Sequence, residues 1–200
     1  VHTVAGGYMT GAIFVMAISA YYMLRRQDLQ FARSSFRLAA VFGMIATLMT
    51  IQMGDESGYL VTKDQPTKIA AMEAIWETHE APAPLTLFAI PDEAAQTNHA
   101  QIDVPWLFGL MGTRSLSTEI PGIKELTAQA EQRIVNGQKA IGVLEQLRKD
   151  PANEQLREQF LAVRDDLGFG LLLKRYTNDV NAATPEMIKQ AAADTIPSVT

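Results

Sequence analysis

The sequence predicts an all-α membrane protein: two transmembrane helices followed by a large external loop of helices and irregular chain, a fragment of a larger helical bundle. Three observations predict it. Residues 4–24, "VAGGYMTGAIFVMAISAYYML", run 21 positions without a charge, about 30 Å of helix at 1.5 Å per residue, enough to cross the hydrocarbon core. A second apolar run, "LAAVFGMIATLMTIQM" at 38–53, becomes long enough when Phe36 and Arg37 are added, with Arg37 snorkelling to the interface. The connection between them, "RRQDLQFARSSFR", sets Arg25, Arg26, Arg33 and Arg37 against the single acid Asp28, which places it on the cytoplasmic side.

Each element follows in order. The spans are expected at about 4–24 and 36–53, forming a membrane region 1–53, with an external region 54–200. A pair of buried core helices is the competing reading, and the first run exceeds the usual length of a core helix. No basic n-region or cleavage pattern marks a signal peptide. The charged residues just named are the only ones before residue 54, so 13 basic and 21 acidic residues follow, a net −8. That balance suits an external soluble extension and argues against nucleic acid as a partner. The absence of cysteine excludes a disulfide framework, thiolate ligands and Fe–S clusters. The chain opens at "VHTVAGGY" without Met and reads as an internal piece of a longer membrane protein.

After the second span, "GDESGY" (54–59) reads as a helix stop, with Asp55 and Ser57 as local caps and Glu56 an exposed carboxylate. Pro66 and Thr67 start a helix over "TKIAAMEAIWE" (67–77). The Pro-rich stretch 77–105 is expected to be mostly irregular. "PWLFGLMGTRSL" (105–116) is too short to span a membrane and suits a small interfacial or packed helix. Helical periodicity returns over 122–148, another helix covers 152–166, and Thr184-Pro185 opens a last one to 196.

Few residues carry chemistry. His2, at the external end of the first span with Gly6 and Gly7 one turn on, is a candidate axial haem ligand, since small residues let a flat macrocycle approach the helix. An interfacial histidine bonded to water or a headgroup is the alternative. His79 and His99 lie in polar, Pro-rich sequence and read as solvated. At about 100° per residue with Lys68 at zero, Met72 falls at ~40°, Trp76 at ~80°, Ile69 at ~100° and Glu73 at ~140°. Lys68 and Glu73 thus bracket an apolar stripe, while Ala70, Ala71, Ala74 and Thr67 form a small face suited to close packing. Ordinary amphipathicity accounts for the same pattern, and a spacing of five is wrong for a helical salt bridge.

Taken together, "VHTVAGGYMTGAIFVMAISAYYML", "GDESGY", "TKIAAMEAIWET" and "DLGFGLLLKRYT" resemble subunit I of the cytochrome bd-type quinol oxidases, with spacing kept along essentially the whole chain. The resemblance implies the fifth and sixth membrane helices and the external Q-loop of its long-loop branch, in a bacterial cytoplasmic membrane with the loop on the periplasmic side. It implies that His2 ligates the iron of the low-spin haem b, and that Lys68 and Glu73 serve quinol binding and oxidation. The partner methionine is then expected beyond Thr200. The ligand histidine of the high-spin haem b and the acidic residues of the proton path are expected before Val1. Haem d, the high-spin haem b, dioxygen, membrane quinol, the lipid bilayer, subunit II and small accessory subunits complete the cofactors and partners that the resemblance implies. The implied reaction is quinol oxidation at the external face, with electrons passing to the low-spin haem b and on to the oxygen-reducing haems. A membrane-anchored external sensor or binding module without redox activity fits the topology, charge and loop length equally well, and a two-haem cytochrome without oxygen reduction would need further histidines on other spans.

Overall fold

The computed structural model describes residues 1–199 and divides the chain into two compact units, one ending at Leu60 and one starting at Val61. The first is a helical hairpin of α1 (His2–Leu24) and α2 (Leu29–Asp64), both long and apolar enough to cross a membrane. Its seam is built from small residues. Ala5, Ala12 and Ser19 of α1 are buried at heptad spacing, and α2 buries Ala32, Ala39, Gly43 and Ala46. A methyl on Gly43 would sit 3.0 Å from the Ala12 methyl, so the helix backbones approach closely, as membrane helices do where side chains are small. Tyr8 packs edge-on against Phe42 with ring centroids 5.8 Å apart. Large apolar side chains such as Phe14, Phe31, Leu38 and Met44 point outward, the inverse of a soluble hairpin.

The helix stop expected at "GDESGY" does not form. α2 continues through Gly54 and Gly58 to Asp64, 36 residues in all. Neither glycine takes a positive φ, and Ser57 donates its hydroxyl to the Met53 carbonyl at 2.7 Å instead of capping a turn. Glycine in a helix interior costs only about 1 kcal/mol, which flanking helix-compatible sequence absorbs.

The second unit takes up the last turn of α2 and continues with α3 (Pro66–Met72). The stretch expected to be irregular holds an antiparallel hairpin of β1 (Leu85–Asp92) and β2 (Thr97–Val104). Its register pairs Leu85 with Val104, Phe88 with Ile102 and Asp92 with Thr97, with shifts on both sides of Phe88. Those irregularities break the period-two alternation that marks a strand in sequence. "PWLFGLMGTRSL" contributes a π-helical turn, Gly109–Thr113, with Phe108, Gly109 and Gly112 buried.

The long α4 (Ile123–Lys149) is followed by α5 (Glu154–Val163), α6 (Leu167–Gly170) and α7 (Pro185–Ala193). Asn153 caps α5 by accepting from the Leu156 amide, and Thr184 caps α7 by accepting from Met187. One core gathers Ile69, Ile75, Trp76, Phe108, Ile120, Ile123 and Leu126 under α3 and the start of α4. A second gathers Ala130, Ile134, Leu173, Val180, Ala191 and Ala192 along the rest of α4.

Candidate functional site

His2 occupies the first turn of α1 with its side chain exposed. Its imidazole leans edge-on against α2 at Gly54. A methyl on Gly54 would sit 3.1 Å from His2 Cε1, 3.8 Å from Nδ1 and 3.9 Å from Nε2. Along α1, methyls on Gly6, Gly7 or Gly11 would meet nothing within 4 Å. The hairpin thus holds an exposed imidazole against one bare helix backbone and beside another.

Lys68 and Glu73 belong to the second unit, on and just after α3. Lys68 is exposed. Glu73 is the C-cap of α3 and half-buried, and burial raises the proton affinity of its carboxyl. α3 is shorter than the helix expected over 67–77. Ala74 takes a left-handed φ of 49°, its amide reaches the Ala71 carbonyl at 3.4 Å, and the Ile75 amide bonds the Ala70 carbonyl at 2.8 Å. This pair of bonds is a Schellman stop, built here on alanine where glycine is usual. Asn98 of β2 secures it from the side, donating to the Ala74 carbonyl at 3.0 Å and accepting the Trp76 indole N–H at 2.9 Å.

The early stop corrects the wheel. Ile69 and Trp76 are 6% exposed and sit in the core, whereas Met72 is 57% exposed, so the three do not form one open stripe between Lys68 and Glu73. What faces outward is Lys68 with Met72 one turn on. The small face behaves as expected, with Ala70, Ala71 and Ala74 buried. A cavity of about 490 Å³ lies beside the start of α3, lined by Thr67, Leu126, Arg133, Phe169 and Leu172 among others, but neither Lys68 nor Glu73 lines it.

The two other histidines part company. His99 is exposed, 3.5 Å from Asp92. His79 is half-buried, less solvated than expected. Its main chain pairs with Ile120, its Nδ1 is buried without a hydrogen-bond partner, and burial lowers its proton affinity, with Asp103 partly opposing. Pairing with a segment 41 positions later in the chain is what buries it, and no local pattern announces that. Gly54 and Asn98 likewise carried no signal as site-shaping residues, since each matters only through a neighbour distant in sequence.

Across residues 1–199 the chain matches the family described as Cytochrome bd terminal oxidase subunit I. The chain belongs to the cytochrome bd subunit I family. It is 39% identical over 199 residues to the cytochrome bd-II ubiquinol oxidase subunit 1 of Escherichia coli (strain K12), covering 100% of this chain and 39% of that protein. It is 31% identical over 131 residues to the cytochrome bd ubiquinol oxidase subunit 1 of Bacillus subtilis (strain 168), covering 66% of this chain and 28% of that protein. The chain therefore spans about two fifths or less of the length of these curated relatives. The cytochrome bd family implies haem as a cofactor, and the first unit fits one. An exposed imidazole, bare backbone at Gly6, Gly7 and Gly11, and the missing Cβ of Gly54 together suit a flat macrocycle with one nitrogen ligand from this segment. Among the described residues no cluster of three His, Cys, Asp or Glu side chains competes as a metal site.

Proposed function

We propose that this segment forms the electron-entry part of a quinol:oxygen oxidoreductase of the cytochrome bd type. On this reading the region from residue 54 onward is the external Q-loop, on the periplasmic side of a bacterial inner membrane, and subunit II, membrane quinol and dioxygen are the partners. The observation that carries the donor-site assignment is Glu73, a half-buried carboxyl whose proton affinity burial raises, one helical turn and a residue beyond the exposed Lys68.

Quinol oxidation releases two protons, and a carboxylate takes one best when its pKa lies near working pH. Burial moves Glu73 in that direction, and the Schellman stop with its Asn98 clamp holds the residue at a defined place at the helix end. Lys68 remains in solvent and can orient or polarise a quinone oxygen as a compact cation. Met72 adds exposed apolar surface on the same face as Lys68. His2 would hold the iron of a low-spin haem b through one imidazole nitrogen. When bound, that haem supplies a one-electron acceptor, with a high-spin haem b and haem d elsewhere in the subunit for the oxygen chemistry.

In the complete oxidase, His2→Ala is expected to abolish the low-spin haem b band of the reduced-minus-oxidised spectrum; a surviving band would refute the ligand role. Lys68→Ala and Glu73→Gln are expected to slow quinol-driven oxygen uptake on the order of tenfold or more at near-normal haem content. Unchanged kinetics in both variants would remove the donor-site assignment.

A further inference from the structure

We propose that Gly54 is a positioning residue for His2: the absence of a side chain on α2 at this point sets where the imidazole sits and therefore how it meets the iron. The inference rests on His2 being an axial ligand, as proposed above. The Gly54–His2 contact belongs to neither the helix seam nor a turn. Gly43 makes the close approach of the two helices, and it meets the Ala12 methyl. Gly54 lies eleven residues further along α2, and the three atoms nearest a methyl built there all belong to the His2 ring.

The geometry is specific. Cε1 is the nearest atom at 3.1 Å, and the two ring nitrogens follow at 3.8 and 3.9 Å. The ring therefore presents its Cε1 edge to α2, with its two nitrogens nearly equidistant from the position a Gly54 methyl would take. Carbon atoms pack best at about 3.5–4.0 Å, so an added methyl forces the ring to move by a few tenths of an ångström or to turn about its own χ angles. For a core side chain that is a small adjustment. For a metal ligand it changes bond length, ring orientation or both, and groups around a ligand that orient it alter metal affinity by about 10–100-fold when mutated. Conformational freedom does not explain this glycine, because it sits in regular helix with φ negative. Gly58, one turn on in the same helix, has nothing within 4 Å of the corresponding position and serves as the matched control.

The test is a graded series, Gly54→Ala and Gly54→Val, in the complete oxidase, with Gly58→Ala alongside. The readouts are the low-spin haem b α-band, its electron paramagnetic resonance g-values and its midpoint potential, each referred to the remaining haems of the same preparation. Gly54→Ala is expected to shift the g-values and potential with the haem retained. Gly54→Val is expected to weaken low-spin haem b retention on the order of tenfold, and Gly58→Ala to match wild type. Wild-type spectra and potential in both Gly54 variants would overturn the proposal. A double-mutant cycle on thermal unfolding separates ring displacement from simple helix packing. In a His2→Ala background Gly54→Ala should add no further loss of stability, and an equal loss in both backgrounds would also overturn the proposal. Survival of the low-spin band in His2→Ala alone is a different failure, which removes the ligand reading beneath it.

Discussion

Ala74 is the residue on which the turn after α3 depends. With φ at 49° it holds a left-handed conformation that costs an L-residue roughly 1–2 kcal/mol, offset by the two Schellman bonds and the Asn98 clamp. Ala74→Gly removes that strain and is expected to raise local stability by roughly 0.5–1 kcal/mol, after the extra unfolded-state entropy of glycine. Hydrogen-exchange protection of the Ile75 amide, which closes the motif, checks it. Glu73 next to it carries a pH signature. Its folded-state proton affinity is raised above the ordinary value of 4.5 by burial, so the folded state holds its proton more tightly than the unfolded state. Its contribution to stability is therefore fully present below pH 4.5 and is lost as pH rises from there through the raised folded pKa. Thermal unfolding of wild type and Glu73→Gln should diverge across that window, with the variant gaining relative stability as pH rises. Parallel curves would show that the carboxyl ionises without penalty.

At the scale of elements, α4 is the spine of the second unit and Gly137 is where α6 meets it. A methyl on Gly137 would lie 2.2 Å from the Gly170 amide nitrogen and 2.3 Å from the Asp166 carbonyl oxygen, both backbone atoms that cannot swing away. Gly137→Ala is expected to cost about 3 kcal/mol or more by overpacking. That corresponds to on the order of a hundredfold loss of hydrogen-exchange protection along the middle of α4. Arg133 ties the same junction from its surface, bonding Asp166 at 2.7 Å and lying 3.9 Å over the Phe169 ring. Long helices were readable because their apolar period and their Gly, Thr-Pro and Asn caps are local signals: α4 and α7 begin within a residue of where the sequence places them. The β-hairpin was not, since its register shifts remove the alternation that marks a strand. α3 ended early for a related reason. Its stop uses alanine, and the Asn98 side chain that holds the turn comes from β2.

For the whole molecule, topology is the property that composition states most directly. The Arg-rich connection and the acidic remainder predict opposite sides of the membrane. The chain contains no cysteine. In a cysteine-free oxidase, a cysteine replacing Ser34 should be labelled by an impermeant reagent only from the cytoplasm, and one replacing Thr118 only from outside. Labelling of both from one side would refute the hairpin topology.

By itself the sequence determined the two apolar spans, the charge asymmetry from which their orientation is predicted, the family and the identity of three candidate residues, His2, Lys68 and Glu73. All of these rest on composition or short motifs, which need no contact partner to be read. Only the tertiary structure decided that Ile69 and Trp76 turn inward while Met72 stays outside, that α2 runs past "GDESGY", and that Gly54 faces the His2 ring. The first and last follow from contacts between residues far apart in the chain, where packing of a neighbouring element outweighs the local preference of a few residues, and the second from helix-compatible sequence on both sides of two glycines.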